Sequence, residues 1–398
     1  MMIPERPSLE RRVLAALDGG SGGGTRIPVL LGGCGTGRTS LLLRLRDLIG
    51  RSTSQYVDVE RIATTPERFL KSMCDASPFP GHSYGHSNGG EPGARPAFDA
   101  ALAFLDTARP SGVGSATFLL DEFLELRTFE SFPGLRTVLR DFIQAVGASG
   151  NRFVLTARYT ARTVRLLKEA PAIFEIIHVA PLSPAEIRAT LPTVDASRTL
   201  SGAAEEDDDR ARDDLAHLLQ SVSNGRPSYA AMIAEAAAAM SPRGGADPVS
   251  ALTSVLAPGG SISNACRFSY ELRLHRARGY GALKAILEVL AEDEALTLTE
   301  IALRLHRTPG STKDYLSWLE DVDLIASRQK RYSYTDPMLR LWVRLHCRAT
   351  PPSEEDIARE VLAYVVTRLP RTEPALTLAG APQAGAHRDK WSGIIEID

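Results

Sequence analysis

Nine consecutive residues, Gly32-Gly33-Cys34-Gly35-Thr36-Gly37-Arg38-Thr39-Ser40, carry the clearest chemistry in this chain. They follow an apolar run, Ile27-Pro28-Val29-Leu30-Leu31, and lead into Leu41-Leu42-Leu43-Arg44-Leu45. A glycine-rich turn between a buried strand and a helix aims successive backbone N–H groups inward, and the helix N-terminus adds partial positive charge. The result is a cradle for a polyphosphate. The spacing meets the pattern G-x-x-x-x-G-K-[ST] at every fixed position but one, where Arg38 stands in place of lysine. Gly35 and Gly37 allow the backbone to approach phosphate closely. Thr39 occupies the position of a hydroxyl ligand for Mg2+, and Ser40 reads as an ordinary first-turn helix residue.

A second group lies downstream. Ala116-Thr117-Phe118-Leu119-Leu120 is an apolar strand ending at Asp121-Glu122. Asp121 is placed to hold Mg2+ through water, and Glu122 to polarise an attacking water. Two adjacent carboxylates with separate roles suit nucleotide hydrolysis. Thr156 ends the next strand, where a hydroxyl either orients water or only satisfies the strand end. Arg158 and Arg162 follow, as fingers toward a neighbouring subunit's phosphate or as exposed solubilising residues. Arg226 is a candidate phosphate contact from a later helical region. Arginine is forked and longer than lysine, so Arg38 can hydrogen-bond two phosphate oxygens but does not replace lysine like for like. Turnover is expected to suffer more than binding.

The elements that position these residues alternate. Strands are expected at 27–31, 55–60, 116–120, 152–156 and 175–179, with helices at 8–17, from 66, 97–108, 133–146 and 160–169. That alternation predicts a parallel sheet covered on both faces, with ligand at the strand carboxyl ends. Residues 75–96 read as a mobile insertion whose His82 and His86 are solvated loop residues. From Leu182 the pattern turns helical, opening on Ser183-Pro184-Ala185-Glu186, and the acidic run 205–209 reads as a solvated loop. A loose linker is expected over 241–263. Helices at 281–291, 299–306 and 312–322, followed by a hairpin with the basic turn Arg328-Gln329-Lys330-Arg331, predict a winged helix.

The 398 residues, 43% of them hydrophobic, suffice for two or three domains. A net charge of -2 gives no bulk attraction to nucleic acid or anionic membranes. The four cysteines form no C-x-x-C pair, which argues against a disulfide framework or zinc site. Neither a signal peptide nor a membrane span is discernible, and a cytoplasmic location is expected.

Together the loop at 32–40, the Leu119-Leu120-Asp121-Glu122 motif, Thr156, the entry Ala180-Pro181-Leu182-Ser183-Pro184-Ala185-Glu186, the turn Asn224-Gly225-Arg226-Pro227 and the stretch Tyr334-Thr335-Asp336-Pro337-Met338-Leu339-Arg340-Leu341-Trp342 resemble the AAA+/STAND class of P-loop ATPases. The likeness is to archaeal-type ATPases related to origin-recognition proteins. The resemblance implies an α/β P-loop NTPase sheet with a helical lid, followed by a mostly α winged-helix domain. It implies ATP with Mg2+ as a conformational switch, Thr156 as a sensor, and a tendency to oligomerise. The expected division is 1–181 nucleotide-binding domain, 182–243 lid, 244–267 linker, 268–347 winged helix and 348–398 C-terminal helix and tail.

Two readings follow. One is an ATP-binding switch, with weakened hydrolysis, that repositions the winged helix toward a protein partner. The other is a nucleotide-responsive regulator that contacts DNA through Arg328, Lys330 and Arg331, with little or no hydrolysis.

Overall fold

The computed structural model describes residues 5–19, 24–80, 93–112, 114–191, 202–240, 247–275 and 279–369. The first part runs α1 (Pro7–Asp18), β1 (Ile27–Leu31), α2 (Arg38–Ile49), β2 (Ser54–Asp58), α3 (Val59–Ile62), α4 (Pro66–Asp75), α5 (Ala94–Thr107), β3 (Thr117–Asp121), α6 (Val138–Ala148), β4 (Arg152–Ala157), α7 (Thr160–Leu167) and β5 (Phe174–His178). A 3-10 helix, Phe123–Ser131, links β3 to α6.

All five strands are parallel, in the order β2-β3-β4-β1-β5. β1 is buried on both faces along its whole length, as a central parallel strand requires. Leu30 joins Leu119, Val154 and Ile177 in packing against α1 and α2. Val29 and Leu31 face the other layer with Phe118, Leu120 and Phe153, where the Phe118 and Phe153 rings stack at 5.6 Å. β4 lies between β1 and β3, so the carboxyl ends of all three strands meet at one edge.

The second part is helical: α8 (Pro184–Thr190), α9 (Gly202–Ser223), α10 (Pro227–Met240), α11 (Pro248–Leu256) and α12 (Ser261–Leu274). Ser183 and Glu186 form the reciprocal cap expected from their spacing. The third part holds α13 (Tyr280–Glu292), β6 (Leu296–Thr297), α14 (Leu298–Arg304), α15 (Pro309–Asp321), β7 (Ile325–Arg328), β8 (Arg331–Tyr334), α16 (Pro337–His346) and α17 (Glu354–Val366). Its small antiparallel sheet has the order β6-β8-β7.

Three expectations are corrected. The strand read over 55–60 stops at Asp58, because its carboxylate accepts from the Arg61 N–H and caps α3. The acidic run at 205–209 lies within α9 rather than in a loop. The segment read as a linker contains α11 and the start of α12. Asp247 accepts from the N–H groups of Val249 and Ser250, and Pro248 occupies the first turn, so residues taken for linker composition are a helix start. His82, His86 and the tail from 370 lie outside the described residues. Among the described residues, no helix is long and apolar enough to cross a membrane.

The turn entering α10 docks on the chain entering α8. Gly225 has φ +62°, and a Cβ there would come within 2.7 Å of the Leu182 carbonyl oxygen and of Pro181 Cβ. Gly225→Ala is expected to destabilise by about 2–4 kcal/mol, from left-handed strain plus overpacking. A drop in the urea unfolding midpoint checks this.

Candidate functional site

The glycine loop leaves β1 and ends at Gly37, which caps α2 in the left-handed conformation. Thr36 Oγ1 donates to the Gly33 carbonyl at 2.9 Å and closes the turn. Gly35 has φ +76°, and a Cβ on it would meet Ser228 Oγ at 2.1 Å. Only glycine therefore fits both the conformation and the approach of α10. Ser228 N–H donates to the Gly35 carbonyl at 3.4 Å. Arg226 Nη1 donates to the Cys34 carbonyl at 2.9 Å, its guanidinium lying beside Gly33. The helical region thus lies against the loop through Arg226, Pro227 and Ser228.

Asp121 ends β3, which β4 separates in the sheet from β1 and its loop. Its Oδ2 accepts from Thr39 Oγ1 at 2.6 Å and from Tyr56 OH at 3.1 Å, while its Oδ1 accepts from Thr156 Oγ1. The two residues expected to hold Mg2+, Thr39 and Asp121, are therefore in direct contact. Tyr56 contributes a third hydroxyl that the sequence did not single out. Burial and the Asp121 charge raise the Tyr56 phenol above its ordinary value, which keeps it protonated and donating.

Glu122 sits in the left-handed region at φ 56°, uncommon for a residue with a side chain. Its N–H donates to Thr156 Oγ1 at 3.0 Å. Arg38 Nη2 lies 2.7 Å from Glu122 Oε1, both side chains less than one-tenth exposed. Glu122 Oε2 accepts from the Arg158 N–H at 3.1 Å and faces Arg158 Nε at 3.2 Å. Both oxygens are engaged. Burial pushes the Glu122 carboxyl up, but Arg38 and Arg158 outweigh it and hold it below the usual carboxylate range.

Arg158 is 6% exposed and also pairs with Glu60. It is not an exposed solubilising residue, which corrects that reading; within this chain its guanidinium is taken up by Glu60 and Glu122. No local pattern signals its role, because that role arises from β4 ending beside β3. Arg162 lies apart, its guanidinium 5.4 Å from the centre of the Tyr159 ring. Ser40 is in the first turn of α2.

These residues fit a Mg-nucleotide. Arg38 Nε and Nη1 are buried with no hydrogen-bond partner, and they can serve phosphate oxygens. Among the described residues there is no cluster of three or more potential metal-ligating side chains. A single carboxylate and a hydroxyl nevertheless suit Mg2+, which retains waters and takes its remaining oxygens from phosphates.

No protein-family model matches the sequence, and no curated protein is significantly similar to it. Among solved structures, a Walker-type ATPase of Pyrococcus abyssi is similar over 86% of this chain and 96% of its own, at 16% identity and a TM-score of 0.59. The ORC1 protein of Aeropyrum pernix, in complex with DNA, matches over 92% of this chain and 95% of its own, at 17% identity and a TM-score of 0.41. A STAND protein with a tetratricopeptide repeat sensor from Pyrococcus horikoshii matches over 90% of this chain and 45% of its own, at 14% identity and a TM-score of 0.32. The fold is that of a Walker-type P-loop ATPase, as the sequence resemblance implied.

Removing the Glu122 charge leaves two buried guanidinium groups without the carboxylate they share. Glu122→Gln is expected to cost about 3–5 kcal/mol near neutral pH. Because the folded carboxyl titrates below its ordinary 4.5, that stabilisation is present above pH 4.5 and disappears as pH falls through the folded value. Wild-type and variant stabilities, measured by denaturant unfolding, should converge below that range.

Proposed function

We propose that this chain is an ATP-binding switch whose hydrolysis is held back by its own loop arginine. The glycine loop, with Thr39 and Asp121 joined beside it, carries this reading. In it the loop amides and Arg38 hold the phosphates, and Thr39 and Asp121 hold Mg2+, which when bound drains charge from them. Arg226 adds a contact from the lid, and Thr156 orients both acids.

Glu122 is the residue placed to take a proton from water, but in this conformation it has no free oxygen with which to do so. An incoming anion competes with Glu122 for Arg38. Only when Arg38 leaves does Oε1 become available. The same arginine that grips the ligand therefore withholds the base. Lysine at that position has a single ammonium, without the fork that spans Glu122 while filling the pocket.

The switch output follows from Arg226. Besides the loop carbonyl, it faces Asp336 Oδ2 at 3.0 Å, and Asp336 is the N-cap of α16. Arg165 also pairs with Asp321, and the Thr160 N–H donates to the Asp323 carboxylate. We read this packing as the resting position of the winged helix, from which phosphate at the loop would draw Arg226.

The DNA-contacting alternative has one observation in its favour: Arg328, Lys330 and Arg331 are exposed on the β7–β8 turn. Against it, the carboxyl end of α15 is engaged with α7. A duplex-binding shift that weakens with salt, and is lost when the three are changed to alanine, would support it.

Mg-ATP at 100 times its dissociation constant is expected to stabilise the protein by about 2.7 kcal/mol. Thr39→Ala should lose most of this in a thermal titration. Absence of any shift with purine triphosphates would refute the reading. Arg38→Lys is expected to release phosphate at least about tenfold faster than wild type, since one electrostatic contact changes turnover by about 2.7–4 kcal/mol. Adding Glu122→Gln should abolish that gain.

A further inference from the structure

Cys34 lies in the loop itself, and its surroundings are unlike those of the other cysteines. Arg273, on α12, is 3% exposed and reaches the loop from the far side of the helical region. Its Nη1 donates to the Asp323 carbonyl at 2.9 Å and its Nη2 to Cys34 Sγ at 3.4 Å, while its Nε is buried without a partner. Among the described residues, no carboxylate lies within ion-pair distance of it. The nearby acids are committed elsewhere: the Asp323 carboxylate to the Thr160 N–H, and Asp336 to Arg226 and Tyr229. A guanidinium does not lose its proton in a protein. A cation this deeply buried needs a negative partner, and the acceptor it is aimed at is the Cys34 sulfur.

Arg273 and Ser269 approach that sulfur from α12, Arg158 from the end of β4, and Tyr159 is held protonated chiefly by burial. Arg226 binds the carbonyl of the same residue. Burial pushes the Cys34 thiol up, but Arg273 and Arg158 outweigh it and bring it below its ordinary 9.0. Burial raises Cys74, Cys266 and Cys347 instead. Cys34 is half-buried, as are Cys74 and Cys347, whereas Cys266 is buried.

We propose that the Cys34 sulfur, held at 3.4 Å by the buried Arg273 guanidinium, is a modification site for small hydroperoxides. The thiolate attacks the nearer peroxide oxygen. An S–O bond forms and the O–O bond breaks, and its electron pair leaves on hydroxide, which takes a proton from solvent to give water. The sulfur is oxidised by two electrons to a sulfenic acid as the peroxide is reduced. In the nucleotide-free chain this reaction needs no part of the proposed switch.

The test uses the full chain with hydrogen peroxide and dimedone at pH 7, read by peptide mass spectrometry. The expected result is an adduct on Cys34 formed at least about tenfold faster than on Cys74. Alkylation of wild-type Cys34 by iodoacetamide should have its inflection below pH 9.0, and Arg273→Gln should move the inflection upward. The wild-type profile stands alone if that variant fails to fold. Equal labelling of Cys34 and Cys74, or a Cys34 inflection at 9.0 or above, would overturn the proposal.

Discussion

The site depends on one buried ion pair. Arg38 and Glu122 come from the two motifs that define the loop and the acidic strand end, and each would be costly alone in so dry a place. They neutralise one another across the gap between β1 and β3, and Arg158 completes the arrangement from β4, the strand between. Burial makes the pair stiff as well as strong, because it excludes the water that would otherwise let either partner relax. The unusual backbone of Glu122 is tolerated because Thr156 and Arg158 over-determine it.

Much of this could be read in the sequence where the signal is local. β1 and β3 are short apolar runs that end in a glycine turn and an acid, and each constraint is visible within ten residues. The Ser183 cap is equally local. Arg158 was not legible, since nothing in Tyr159, Thr160 or Ala161 reveals that β4 sits beside β3 in register. Tyr56 and Glu60 reach the site for the same reason, through the pairing of β2 with β3. The two helices read as a linker are a different failure. Asp247 and Pro248 are the start signals of α11, but among glycines and prolines they resemble loop composition, and α12 follows Gly260 with no side-chain cap. The capping geometry distinguishes the two, and composition does not.

Away from the sheet, apolar packing is continuous. One cluster of buried side chains runs from Phe118 and Leu155 through Leu219 and Ile233 to Leu283, Leu316 and Trp342. The helical and C-terminal regions therefore lie on the sheet domain as parts of one body in this conformation. Polar contacts at the boundaries include Arg226 with the Cys34 carbonyl and Asp336, Ser228 with the Gly35 carbonyl, Arg165 with Asp321, the Thr160 N–H with the Asp323 carboxylate, and Arg273 with Cys34 and the Asp323 carbonyl.

Arg226 touches the loop carbonyl and Asp336 with the same guanidinium, and thermodynamics makes that bond run both ways. Any factor by which a ligand at the loop weakens the hold on α16 must equal the factor by which a molecule gripping the C-terminal region alters affinity at the loop. A binder discovered on the distal side would consequently serve as a gauge of the proximal one, and the ratio of two dissociation constants would measure how strongly this single side chain transmits.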